Sequence, residues 1–481
     1  MAPSPFRRFL PALAALLALA AAGLLAQTRV PPREGRPRIV PARPEIAPQG
    51  VTFSREVSRI LQDNCQSCHR TGGIAPFALT NFAEAREHAL QIAVMTSSRV
   101  MPPWHAGPNC ASYEGDPTLA PEEIEALTQW AVSGTPEGDP RELPPPREFP
   151  DGWRLGTPGQ VLTMPEPYTP DFSQGDDYRC FVLPTGGSTA RYVSAVEIAP
   201  GSAKMTHHVV LYTDTTGASE TLDRNDPGPG YRCFGGPGIS LAALLGAWVP
   251  GNEPRRLPED IGLSLPAGAR VVMQVHYSAL AGVREPDRTS LALHLSPGPV
   301  RKILRAAPIL NETFRIPPGA ADHPVTAAIP FVPASVHLLA ITPHMHLLGR
   351  QMRLWVTRPD GSQACLVDVK DWDFHWQRTY TFATPIAVPV FSRVDLAARY
   401  DNSTANPENP SDPPREVGWG ENTTDEMCIA ILWLTIDAED LTAGMAASAE
   451  VEKAFQMRWP PPLVRDPAAP NPTRRIHGHR H

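Results

Sequence analysis

The chain has 481 residues, 42% hydrophobic and 19% charged, which excludes a disordered protein and leaves room for about three domains. A formal net charge of −7 offers no basic surface to a nucleic acid. The 57 prolines exclude a helix-rich fold, because proline lacks the N–H that helix interiors and central strands need.

Arg7 and Arg8 precede an apolar run from Phe9 to Ala26, the charge-then-hydrophobe order of an export signal. Residues 1–26 are expected to be a signal peptide, with Ala20, Ala22 and Ala26 as cleavage candidates, or else an uncleaved anchor. A run of about 18 apolar residues is near the lower limit for spanning a bilayer. Both readings put the rest of the chain in the periplasm or outside the cell, with membrane contact only if the segment is kept. Residues 27–48 are rich in proline and arginine and read as a solvated spacer. Seven cysteines in an exported chain suggest disulfides, although an odd number cannot all pair with one another.

From residue 49 to 140 the pattern is helical. Val57, Ile60 and Leu61 share one face, and so do Ile124, Leu127 and Trp130 before Gly134. A proline-rich linker, 141–158, closes this segment. Within it "NCQSCH" supplies Cys65, Cys68 and His69. In C-x-x-C-H two thiols can add to the vinyl groups of a haem while the adjacent imidazole takes the iron, so one covalent haem c is expected. A zinc site or a redox dithiol is the alternative, but neither requires the histidine. "RVMPPWH" offers Met101 as the sixth iron ligand, with Met95 and His105 as rivals. A thioether opposite histidine raises the potential and suits electron transfer.

Beyond residue 158 short β-branched stretches alternate with Gly, Pro and Asp, the pattern of antiparallel sheets packed as sandwiches. About 300 residues is large for one sandwich. Two are expected, over 159–303 and 304–458, dividing near "SPGPVRKILRAAP". The tail, 459–481, is proline-rich and then basic, and is expected to be disordered; His477, His479 and His481 give it weak metal-binding character.

Six side chains in the β region stand out. His207 and His208 are adjacent in "THHVVLY", which alone reads as one core and one surface histidine. His276 lies in "MQVHYS", His344 and His346 in "PHMHLLG", and Met427 in "TTDEMC". His344 and His346 are two apart and share one face of a strand. A His₂Met set suits Cu(I) better than zinc, and three imidazoles suit either copper oxidation state. Each element alone fits an ordinary packed or surface side chain; the ensemble points to two copper ions.

The stretch from about 160 to 455 resembles the copper type II, ascorbate-dependent monooxygenases, the family of peptidylglycine α-hydroxylating and dopamine β-monooxygenases. "DDYRCF", "HHVVLY", "AWVPGNEPRRLP", "QVHY", "HMHLLG" and "TTDEMC" occur in the family's order. The haem segment in front resembles bacterial relatives that fuse a cytochrome c domain there. The resemblance implies an electron-transfer copper at His207, His208 and His276, and an O₂-binding, catalytic copper at His344, His346 and Met427. Both adjacent histidines can reach one metal if the strand bulges. It also implies a small all-α cytochrome c domain followed by two all-β, jelly-roll-like copper sandwiches facing across an open cleft. In the family the cysteine equivalent to Cys428 is disulfide-bonded within its domain, which implies Cys365–Cys428. Cys180 and Cys233 pair in the first sandwich on this reading, and Cys110 is left over. The family's carboxylate-binding positions are Thr342, Ile429 and Ile431 here, so peptide amidation is not expected and a less polar substrate is.

The function so implied is hydroxylation of a C–H bond of a small organic substrate by O₂. Electrons would come through the haem from an ascorbate-like reductant or a redox protein. A non-catalytic periplasmic copper and haem electron-transfer protein is the main rival. A haem oxidase or peroxidase needs an open iron, against which Met101 argues.

Overall fold

Thr52 opens the helical segment with a reciprocal cap. Its hydroxyl accepts from the Arg55 N–H at 3.3 Å, and Glu56 accepts from the Thr52 N–H at 3.0 Å. The computed structural model describes residues 50–455 apart from 151, 240–242 and 251. The expected export segment, the 27–48 spacer and the histidine-bearing tail lie outside the described residues. After a π-helical turn at Phe53–Val57 come α1 (Ser58–Asn64), α2 (Phe82–Glu87), α3 (Ala89–Ser97) and α4 (Pro121–Val132). Asn81 caps α2 by accepting from Glu84 N–H, and proline opens α4, where no N–H is needed. The helices close over Val57, Leu61, Leu127 and Trp130, all fully buried. Among the described residues no helix is long and apolar enough to cross a membrane.

This segment is bound into the β structure behind it. Between Trp104 and Glu114 the chain runs along the far end of the molecule's sequence. Ala106 bridges Val369, Tyr113 bridges Phe382, and Gly107 N–H donates to the Asp368 carbonyl at 2.7 Å. Cys110 is disulfide-bonded to Cys365, and Ala106 and Tyr113 belong to the hydrophobic core formed mainly by residues 307–455.

Three strands carry the first β half: β1 (Asp177–Pro184), β2 (Thr206–Asp214) and β3 (Arg270–Tyr277). They form a five-stranded sheet in the order Tyr231–Arg232, β1, β3, β2, Ala243–Trp248. A second five-stranded sheet, centred on Arg191–Ala199, packs against it, with Val193 and Leu293 meeting Phe181, Leu211 and Met273 in one core. The second β half is built on β4 (Val336–His344), β5 (Tyr380–Val388) and β6 (Ile429–Ile436), in the order Arg305–Leu310, β6, β4, β5. A further four-stranded sheet, His323–Ile329, Arg393–Tyr400, Gly349–Thr357, Gln363–Val369, covers one face of it.

The fold class expected from the sequence needs correction. The described residues are mostly β, with six α-helices of at most 12 residues, and no all-α cytochrome c domain stands apart. In place of two separate jelly-roll-like sandwiches there are four principal sheets, of five, five, four and four strands. The β4–β6 sheet is buried on both faces. Leu338 and Leu432 enter the second core, whereas Leu339, Ala340 and Trp433 pack with the first. Strand alternation sends neighbouring residues to opposite faces, and here both faces find apolar partners. The helices close a small core of their own, but the Ala106–Tyr113 stretch packs into the second β half and is crosslinked to it, so the segment does not stand apart.

Candidate metal centres

β2 and β3 bring the first histidine set together. Thr206 pairs with Tyr277 and His208 with His276, so His207 is the extra residue of a bulge. The bulge turns both neighbouring imidazoles toward one point, which a strictly alternating strand would forbid. His207 Nδ1 lies 3.3 Å and His276 Nδ1 3.4 Å from His208 Nδ1, and one nitrogen from each ring falls within 4.8 Å of the other two. Like-charged imidazolium rings could not sit so close. Burial, reinforced by the neighbouring His276, holds His207 and His208 well below the usual histidine range, leaving neutral donors.

Asp176 backs this set. Its Oδ2 lies 3.1 Å from His276 Nε2, the nitrogen turned away from the other rings. Thr423 donates to the same oxygen at 2.6 Å and Ala279 N–H to Oδ1 at 2.9 Å. Burial pushes this carboxyl up, but its bonds and charge contact with His276 outweigh that and hold it well below the usual carboxylate range. Tyr178 stacks on His276 at 4.1 Å. Such a carboxylate fixes ring orientation and leaves Nδ1 for a metal.

The second set sits at the end of β4. Met345 points into the core and is fully buried, so His344 and His346 face the other way together, ring centroids 5.1 Å apart. His344 Nδ1 meets Gln377 Oε1 at 2.5 Å, and His346 Nδ1 meets the Asp425 carbonyl at 3.1 Å. Both Nδ1 atoms therefore carry the proton and both Nε2 atoms are left as donors. Burial pushes His344 down to about 4 and, with His344 nearby, His346 down to about 3. Met427 arrives just before β6 and lines the same cavity as these two rings. Glu426 locks the parts together, its carboxylate accepting from the N–H groups of His346, Leu348 and Met427 at 2.7–3.0 Å. Phe374 joins the two sets: it stacks on His207 at 4.6 Å and meets His346 edge-on at 5.8 Å.

A cavity of ≈ 1070 Å³ runs from Cys65, Cys68 and His69 past Met95, Met101 and Trp104 to His208, His344, His346 and Met427. Cys65 and Cys68 are free thiols, and burial pushes Cys65 up to about 12. His69 Nδ1 lies 3.2 Å from the Phe77 carbonyl, which leaves Nε2 as the nitrogen able to accept a metal. Of the three candidates for a further ligand, Met95 and Met101 line the cavity and His105 does not. Near the family's carboxylate-binding positions, Thr342 bonds Thr379 and Trp433, while Ile429 and Ile431 present apolar surface.

One cysteine pairing is corrected. Cys180–Cys233 is formed, but Cys365 pairs with Cys110, and Cys428 is a buried free thiol. Cys365 lies on the strand along which the Ala106–Tyr113 stretch runs, within reach of Cys110 rather than Cys428. Asp176 and Glu426 fall inside "DDYRCF" and "TTDEMC", so their segments had already signalled importance. Nothing in the sequence singled out Phe374 or Gln377.

Residues 309–443 match the C-terminal domain of the copper type II ascorbate-dependent monooxygenases. The chain is also 24% identical over 266 residues to DBH-like monooxygenase protein 1 of Gallus gallus, covering 50% of this chain and 41% of that one. The Homo sapiens protein of the same name is 24% identical over 49% of this chain and 40% of its own. Peptidyl-glycine alpha-amidating monooxygenase of Mus musculus is 25% identical over 37% of this chain and 18% of its own. The chain thus spans about two fifths of the length of the first two relatives. These similarities support a copper-dependent monooxygenase.

Proposed function

We propose that this chain is an exported copper-dependent monooxygenase that hydroxylates a C–H bond of a small, weakly polar organic substrate. The carrying observation is that two imidazole sets, each with nitrogens fixed by hydrogen bonding or mutual approach, reach one cavity, the first through His208 and the second through His344 and His346. His207, His208 and His276 would hold one copper ion through Nδ1. His344 and His346 through Nε2, with the Met427 thioether, would hold the other. Copper at these sites supplies O₂ binding and electrons one at a time.

The chain's own residues do the rest. Asp176 and Gln377 keep ring orientations fixed, and Glu426 holds the Met427 segment against the His344–His346 turn. Phe374 packs between the sets, stacked on His207 and edge-on to His346. Ile429 and Ile431 favour an apolar substrate, and Thr342 offers a neutral hydroxyl where a carboxylate-binding cation would be needed for amidation. Hydroxylation takes one oxygen atom into the product and reduces the other to water, which consumes two electrons and two protons from outside the substrate. Cys65, Cys68 and His69 would hold a covalent haem c, with Met101 as a further residue able to hold it, and such a group would supply one-electron transfer from an ascorbate-like reductant or a redox protein. The free thiols and the fixed His69 ring fit it.

Copper titration tests this reading. The purified protein should bind two copper ions per chain, His276→Ala and Met427→Ala should each weaken one of them, and only the doubly loaded protein should consume O₂ in step with a hydroxylated product. Full copper binding by the double variant would sink the assignment.

A further inference from the structure

We propose that Arg378, with the Trp104 indole N–H, binds a carboxylate of the tetrapyrrole held at Cys65 and Cys68; this rests on the haem reading above. Arg378 Nε and Trp104 Nε1 are both buried, and among the described residues neither has a hydrogen-bond partner. The guanidinium lies over the Trp104 ring, 5.7 Å from its centroid, and no carboxylate among the described residues pairs with it. Both residues line the cavity that holds the two cysteines.

Arginine stays charged in proteins, and a desolvated guanidinium without an anion is unfavourable. A buried indole N–H likewise calls for an acceptor. A guanidinium beside an indole N–H, both lacking an acceptor, is the complement of a carboxylate. Arg70, directly after the haem motif, adds another buried Nε without a partner among the described residues.

The contact partner of Arg378 differs from those of its two chain neighbours. Gln377 reaches His344 at 2.5 Å, and Thr379 reaches Thr342 at 2.7 Å. Arg378, between them, instead meets Trp104 of the helical segment, while all three residues line the same cavity. The second β half thereby contributes a cation to the cavity that is also lined by the cysteine motif.

The test uses the full-length protein as isolated. Haem attachment is measured by covalent haem staining and mass, and the haem midpoint potential by spectroelectrochemistry. Wild type, Arg378→Gln, Arg378→Lys and Trp104→Phe are compared, with thermal melts alongside. Loss of the cation leaves the carboxylate's charge uncompensated beside the iron, which favours the oxidised form. Arg378→Gln should therefore shift the potential down, Arg378→Lys should restore most of it, and Trp104→Phe should produce a smaller downward shift. If Arg378→Gln does not fold, a downward shift in Trp104→Phe supports the proposal and an unchanged potential there overturns it. Attached haem with an unchanged potential in Arg378→Gln overturns this proposal alone. Absence of haem from the wild type overturns the haem reading and this proposal together.

Discussion

His276 takes its orientation from a carboxylate on one side and a stacked tyrosine on the other, so its Nδ1 is held facing His208 before any metal arrives. Asp176 is in turn fixed by Thr423, which comes from the second β half. The first histidine set thus depends on a residue nearly 250 positions away in the chain. Asp176→Asn keeps an acceptor in place but removes the charge, and it can turn an NH₂ toward the ring. It should lower copper affinity at the His207–His208–His276 site by roughly 10–100-fold while leaving the other site unchanged. A competition titration against a Cu(I) chelator reads both sites, and equal affinities in variant and wild type would remove Asp176 from the account. The six copper-binding candidates were legible in the sequence because histidine and methionine carry their chemistry in their identity. Asp176, Gln377 and Phe374 were not, since an aspartate, a glutamine or a phenylalanine acquires its role only from the neighbours the fold provides.

At the scale of elements, the bulge at His207 and the buried Met345 between His344 and His346 show two uses of strand geometry. One breaks the alternation so that neighbours converge; the other uses it so that next-neighbours do. The strands themselves were readable from their β-branched runs. Their sheet order was not, because periodicity gives the face of a strand and says nothing of its partner. The stretch from Trp104 to Glu114 was equally opaque: it has no period, and its partners, Val369 and Phe382, lie more than 250 positions on. That is why Cys110 was left over and Cys365 was given the wrong mate, as connectivity does not follow from spacing. The Cys110–Cys365 bridge spans 255 residues and ties the helical segment to the second β half. Replacing both cysteines with serine should cost about 2–5 kcal/mol of stability. Chemical denaturation under oxidising conditions measures it, and a variant as stable as wild type would show that the docked stretch is held by packing alone.

At the scale of the molecule, residues of the helical segment and of both β halves line one cavity, which reaches the first histidine set at His208 and the second at His344 and His346. In its metal-free form the buried histidines add an acid-sensitive contribution to stability. His344 and His346 are held at about 4 and about 3 by burial, against roughly 6.5 in an unfolded chain. Between those values the unfolded chain binds more protons, so this contribution is complete above about pH 6.5 and is lost as the pH falls toward 4. Burial pushes Glu426 up to about 8 and Glu421 up to about 7, and these act in the opposite sense over the same range, so the histidine contribution is read as a difference. Replacing His344 and His346 with asparagine should make the denaturation midpoint of metal-free protein less sensitive to acidification between pH 7.5 and pH 5, and an unchanged pH dependence would contradict the burial of these rings. The most direct test of the central claim is stopped-flow absorbance of the reduced, copper-loaded protein mixed with O₂, comparing wild type with Met427→Ala and His276→Ala. Fast oxidation of the haem in the wild type, and slow oxidation in both variants, is the result expected if the two copper sites act together on O₂ and draw on the haem. Equal rates in all three proteins would contradict it.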